Sequence, residues 1–260
     1  MSRIYFRTIL ILFTFVFVMG CKKDDDEQAA VDPTAENKKG LGTSAEDIMQ
    51  SGTYNRLTVE MAYSAISEPS ETAKTNFRNF VEARVNKPGG VSFVERTIQD
   101  QPGAPFSIQE IRNIEDNVRT IYTEGDNIAV FVFFSSGRSE NDTETTVTLG
   151  TAYRNTSMVI YESTLQLLAG SDPDLLPILE STVLNHEFGH ILGLTNILSD
   201  DIHANHEDPV AEKHCIVDNC LMYFDATNIG RSELQRFMQQ AKVPELDPLC
   251  IADLQAKGGN

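Results

Sequence analysis

Residues 186–193 read His186-Glu187-Phe188-Gly189-His190-Ile191-Leu192-Gly193. Asp172-Pro173 opens the helix that carries them, and Gly193 stands where a left-handed C-terminal turn would end it. Positions i and i+4 of a helix share a face. Both imidazoles can therefore point at one Zn²⁺ about 2.0–2.1 Å away. Glu187 lies one residue, about 100° of helix turn, from His186, so it can reach a water at the metal without ligating it. The chain has five histidines, and all of them lie between residues 186 and 214. An amphipathic helix bearing two surface histidines is the plainer alternative, and the clustering argues against it. The glycine turn lets a third ligand come from outside the helix.

Working outward, the segment before this helix alternates strand and helix. Arg56–Tyr63 alternates apolar and polar residues as a half-buried strand does, and Val91–Ile98 repeats the pattern. Ser70 caps a helix with Ala73, Phe77, Phe80, Val81 and Val85 at helical spacing. Ser107 and Glu110 form a capping box for a helix from Ile108 to about Tyr122. Ile128–Phe134 is a continuous apolar run, which predicts a central strand covered on both faces. Thr146–Arg154 and Met158–Tyr161 are further strand candidates, and a helix is expected over Ser232–Lys242. No Gly/Pro-rich linker divides residues 50–250. The fold class expected is α/β (α+β): one domain with a mixed twisted sheet, one long helix beneath it and a small loop-rich C-terminal subdomain.

The eight residues quoted above resemble the opening of the metzincin zinc-protease motif. In that family a third histidine would stand at position 196, where this chain has Asn196. Further on, His214-Cys215-Ile216-Val217-Asp218-Asn219-Cys220-Leu221-Met222 is similar to the archaemetzincin pattern of His, Cys, four residues, Cys, one residue and Met. The resemblance implies His186, His190 and His214 as zinc ligands, with Thr195–Lys213 as an insertion and Met222 in a turn beneath the metal. His206 and His203 are the competing third ligands. The resemblance further implies a zinc endopeptidase with Glu187 as general base and Leu149–Ser157 as the rim along which a protein or peptide substrate lies extended. In the family Cys215 and Cys220 would join a Cys-x-x-Cys pair around a second, structural zinc. Here Cys250 alone follows, so the expected state in an exported protein is a Cys215–Cys220 disulfide, with Cys250 left over. Two rival readings stand beside this one. A gluzincin-type protease would take Glu207 or Glu212 as third ligand, which Pro209 disfavours; a non-catalytic surface-displayed binding lipoprotein would have a structural zinc or none.

The chain has 260 residues, 41% of them apolar, with 21 Lys plus Arg against 38 Asp plus Glu, a formal net charge of −17. That balance excludes nucleic acid and anionic lipid as electrostatic partners. At the N-terminus, Arg3 and Arg7 precede an uncharged run, Ile9–Met19, too short for a spanning helix of about 20 residues. Val18-Met19-Gly20-Cys21 resembles a bacterial lipobox, and Lys22–Glu27 resembles the charged export tag of Bacteroidetes surface lipoproteins. The expected organisation is a signal peptide over 1–20, a flexible acidic tether over 21–45 and a zinc metalloprotease domain over 46–260. The expected location is the outer membrane or cell surface, held through a lipid on Cys21. Cys21→Ser is then expected to yield an unanchored soluble form, as fractionation would show. Retention of that variant with the membrane would make Ile9–Met19 the anchor instead.

Overall fold

The computed structural model describes residues 32–223, 229–230 and 242–260. In chain order the elements are α1 (Ala45–Met49), β1 (Arg56–Tyr63), α2 (Glu71–Arg84), β2 (Val91–Thr97), α3 (Ile108–Val118) and β3 (Asn127–Phe134). There follow β4 (Thr146–Val147), β5 (Gly150–Arg154), β6 (Ser157–Ile160), α4 (Glu162–Ala169), α5 (Leu175–Ile191), β7 (Ile229–Gly230) and α6 (Pro248–Ala256). The main sheet runs β2-β1-β3-β6-β5. Its first four strands are mutually parallel, and β5 closes one edge antiparallel to β6. The fold is thus a mixed α/β one.

The strand alternation decides which helix lies on which face. Leu57, Val59, Met61 and Tyr63 of β1 join Ile128, Val130, Val132 and Phe134 of β3 in one core with α2 and α5. Ala62, Phe131 and Phe133 face the other way, against Ile111 and the remaining apolar side of α3. β1 is therefore covered on both faces rather than one. Glu60 falls in its polar register yet is fully buried. It is satisfied there by Arg96 Nη1 at 2.7 Å and by the backbone amides of Thr120 at 3.0 Å and Ile121 at 2.8 Å.

Both expected caps form: the Ser70 hydroxyl accepts from Ala73 N, and Ser107 and Glu110 make the reciprocal capping box. Four expectations need correction. The third helix stops at Val118, because Arg119 turns extended and buries its guanidinium against Glu115 Oε1 at 2.8 Å and the Ala129 carbonyl at 2.8 Å. A buried cation needs those acceptors more than the helix needs another turn. Thr146–Arg154 splits into β4 and β5. At Gly150 the chain passes so close to α5 that a Cβ would stand 2.7 Å from Val183 and 2.8 Å from Glu187. Residues 32–45, expected as part of the tether, fold onto the sheet, with the buried Asn37 amide donating to the Ala129 carbonyl at 2.9 Å. Helices α4 and α6 went unpredicted, although Asp247 caps α6 and Pro248 opens it. The helix expected over 232–242 lies, apart from Lys242, outside the described residues.

Helix α5 is buried on nearly every side. Phe188, about 200° around the helix from His186, packs edge-on against Phe77 at 5.6 Å and Phe80 at 6.5 Å between ring centroids. This contact fixes the rotation of α5 about its axis, and with it the direction of the histidine face. Truncating a phenylalanine so placed costs about 3–5 kcal/mol.

Glu162 on α4 and Glu180 on α5 are both fully buried and face each other. Ser70 binds Glu180 through its amide at 3.1 Å and its hydroxyl, so the α2 cap is tied to α5. Burial first, and then the Glu180 charge, push the Glu162 carboxyl up to about 9 from 4.5. The folded protein keeps a proton there that the unfolded chain releases, so stability falls as pH rises between those two values. Urea midpoints followed from about pH 5 to about pH 9 should decline in the native chain and decline less in Glu162→Gln. Equal slopes for the two proteins would contradict a proton held on Glu162.

Candidate functional site

Four features of the backbone build the site. Helix α5 supplies His186, Glu187 and His190. It ends in a Schellman turn, with Gly193 at φ +87°, Gly193 N–H donating to the His190 carbonyl at 3.0 Å and Leu194 N–H to the Gly189 carbonyl at 2.9 Å. Only glycine takes that φ without strain, and the turn sends the chain away from the helix axis. Residues 214–222 then return as a closed loop, clasped by Cys215 N–H donating to the Met222 carbonyl at 2.8 Å. Strand β5 flanks the helix on its Glu187 side.

One nitrogen from each of His186, His190 and His214 lies within 4.8 Å of the others, and all three residues are buried. Each Nδ1 faces a backbone carbonyl: Leu221 at 3.0 Å for His186, Leu194 at 2.7 Å for His190 and Glu212 at 3.0 Å for His214. A carbonyl only accepts, so each Nδ1 carries the proton and each Nε2 keeps a lone pair. The Nε2 atoms of His186 and His190 stand 3.1 Å apart. Two imidazole nitrogens on a tetrahedral ion with bonds of about 2.0–2.1 Å would be separated by about 3.3 Å. Burial, and then the neighbouring His190 and His214 rings, hold the His186 imidazole well below its usual range. It therefore stays neutral, as a ligand must. The donor set fits a zinc-type ion: three buried imidazoles, each with its Nδ1 held by a backbone carbonyl. No fourth His, Cys, Asp or Glu joins this group among the described residues.

Glu187 is fully buried, and its Oε2 accepts from Ala152 N–H of β5 at 2.7 Å. Met222, also buried, lies under the helix at Gly189, where a Cβ would meet its Sδ at 2.5 Å. The helix and the loop carrying His214 thus touch at a position that admits no side chain on the helix.

The other sequence candidates lie elsewhere. His206 Nε2 is bonded to Asp253 Oδ2 at 2.8 Å and its Nδ1 faces Cys215 Sγ at 3.2 Å, while His203 Nδ1 reaches Asp253 Oδ1 at 3.0 Å. Asn196 donates through Nδ2 to Glu207 at 2.7 Å, and Glu207 also accepts from Lys213 N–H at 3.0 Å. Neither Glu207 nor Glu212 is in the histidine group. The Cys215–Cys220 disulfide does not form: both residues are buried free thiols, as is Cys250. Cys215 Sγ meets His206 Nδ1 and Asp247 Oδ2, each at 3.2 Å, and Cys220 Sγ lies 3.7 Å from Cys250 Sγ, so the thiols share non-covalent partners. Cys21 lies outside the described residues.

No protein-family model matches the chain, and no curated protein does. Among solved structures, archaemetzincin from Methanopyrus kandleri is similar at 19% identity, over 79% of this chain and 96% of that one, with a TM-score of 0.47.

Gly189→Ala should lower the urea midpoint even though alanine favours helix by about 1 kcal/mol, since overpacking a core costs about 1–3 kcal/mol. Met222→Ala makes room, so the double variant should lose less stability than the two single losses combined. Simple additivity would separate the glycine from the methionine.

Proposed function

We propose that this chain is a zinc-dependent endopeptidase. His186, His190 and His214 hold the metal and Glu187 is the general base. The observation that carries the reading is the convergence of three buried imidazoles, one helix residue from an oriented carboxylate, with no fourth His, Cys, Asp or Glu in the group among the described residues. A closed structural site would use four protein ligands, whereas a catalytic one keeps a position open. When bound, a zinc ion supplies Lewis acidity: it polarises a carbonyl and lowers the pKa of water.

The chain's own residues do the rest. The Ala152 amide fixes Glu187 Oε2 and with it the carboxylate plane. Glu187 takes the proton of the attacking water and later delivers it to the leaving nitrogen. β5 is the end strand of the main sheet, so a peptide can lie along it as an added strand. The strand that holds the base would then also hold the substrate. A lipid on Cys21 completes the proposal and places the enzyme on the outer membrane or cell surface.

Glu187→Gln keeps the shape but cannot take a proton. Its zinc content should match the native chain while cleavage of a peptide library falls about 10²–10⁴-fold. His190→Ala should lose metal and activity together. Loss of zinc from Glu187→Gln would make the glutamate a ligand and overturn the mechanism.

A further inference from the structure

Away from the histidines, an open cavity of about 560 Å³ is lined by the first turn of α4, strand β4 and the loop that follows β3. Leu167 and Val147 give it apolar walls, and Arg138, Ser163 and Thr164 give it polar ones. Leu167 is 80% exposed. Thr164 is only 5% exposed, yet its hydroxyl meets no protein partner among the described residues.

Arg138 is the cation of this cavity, and it is exposed. The other arginines of the described residues are held by carboxylates, by a backbone carbonyl or by an aromatic face. The Arg138 side chain has none of these. Its backbone is nonetheless fixed. Phe106 N–H donates to the Arg138 carbonyl at 2.9 Å, and Glu140 N–H donates to the Phe106 carbonyl at 2.9 Å. At Gly137 the loop packs so closely that a Cβ would stand 2.4 Å from Ala104. Asp142 is the acidic member of the lining, but its Oδ1 accepts from Thr148 N–H at 2.8 Å and it forms no ion pair with Arg138. An unpaired guanidinium on an anchored loop presents a planar fork that matches a carboxylate.

The cavity lies at the head of the strand that holds the base. Tyr161 N–H donates to the Leu149 carbonyl at 2.9 Å, while Gly150 and Ala152 pair with Ile160 and Met158. Bonding alternates along an antiparallel ladder, so Gly150 and Ala152 turn their amides and carbonyls away from β6 toward the open edge. The Ala152 amide meets Glu187 there. From Val147 on the cavity wall to Ala152 is at most about 17 Å of extended chain. A peptide laid on this edge, with its scissile bond at Glu187, spans that length in about five residues.

We propose that this cavity is a specificity pocket for a carboxylate of the substrate, with Arg138 as the residue that binds it. Such a pocket rests on the endopeptidase reading for its substrate. The carboxylate belongs to an aspartate or glutamate side chain, or to the C-terminus of the peptide, within about five residues of the scissile bond. Leu167 and Val147 cover the apolar stem of that residue, and Thr164 offers a further donor. Most of a chain with a formal net charge of −17 repels an anionic residue, so an unpaired guanidinium decides where such a residue can settle.

The probe is a set of acetylated, amidated peptide pools with glutamate or glutamine at one scanned position, and a matching set that ends in a free carboxylate. The zinc-loaded native chain should cleave the glutamate pools about 10-fold faster at one position, the worth of a charged hydrogen bond. Arg138→Glu should lose that preference and favour lysine at the same position, while Arg138→Lys should keep part of it. A preference confined to the free-carboxylate set would assign the pocket to the peptide C-terminus. The same pools, selected by affinity on the Glu187→Gln chain and read by mass spectrometry, test the pocket whether or not any bond is cut. Selection of glutamate peptides that Arg138→Glu abolishes, in a chain whose native form cleaves nothing, would uphold the pocket and sink the protease reading alone. Arg138→Gln gives the same comparison without adding an acid to an acidic loop, should Arg138→Glu not fold. The pocket is overturned if the glutamate-to-glutamine ratio is the same in the native and Arg138-substituted chains, in cleavage or, where nothing is cut, in selection.

Discussion

The Nδ1–H of His186 donates to the Leu221 carbonyl at 3.0 Å, and that bond joins the helix bearing two histidines to the loop bearing the third. Much else in the structure serves it. The edge-on packing of Phe188 on Phe77 and Phe80 sets the rotation of α5. The Gly193 turn releases the chain, and the Cys215–Met222 backbone bond closes the returning loop. Gly189 lets Met222 lie flush under the helix. Because the ring is buried and neutral, the bond also sets which nitrogen is left to ligate. One hydrogen bond thus decides position and tautomer together.

The same economy appears where charge is buried. Glu60, Arg119 and Asp253 are almost or wholly inaccessible, and each meets hydrogen-bonding partners that offset its desolvation. Glu60 sits under the β2–β1 pair on Arg96 and two amides. Arg119 stitches α3 to β3 and β6 through Glu115, the Ala129 carbonyl and Ser157. Asp253 joins α6 to the segment carrying His203 and His206. The polar core therefore ties distant segments of chain together, while the apolar core fills the space between them.

Much of this was legible from local pattern. The apolar run of β3, the alternation of β1 and the two serine caps each state their own structure, because periodicity and capping are local. The pairing of His186 with His190 is local too, since it follows from helix geometry. What was not legible depends on contacts far along the chain. Arg119 ends α3 early to reach acceptors on β3 and β6, and Gly150 breaks a strand because α5 lies against it. Helix α4 turns a buried Glu162 toward Glu180 of α5, so an acidic residue stands on its buried side and blurs the apolar pattern. Cys215 and Cys220 invited a disulfide because they are near in sequence. Their partners, His206 and Cys250, come from opposite sides of the loop, and no spacing rule connects them. The signal that was available lay in the odd thiol and in Asp247-Pro248, a helix start that places Cys250 in a first turn.

The central claim is that His186, His190 and His214 share one ion. It is tested most directly by anomalous diffraction at the zinc edge from crystals of the full chain grown with zinc. The account predicts a peak about 2.0–2.1 Å from the Nε2 atom of all three histidines. A folded chain with no peak there, or a peak ligated by His206 while His214 turns away, would contradict it.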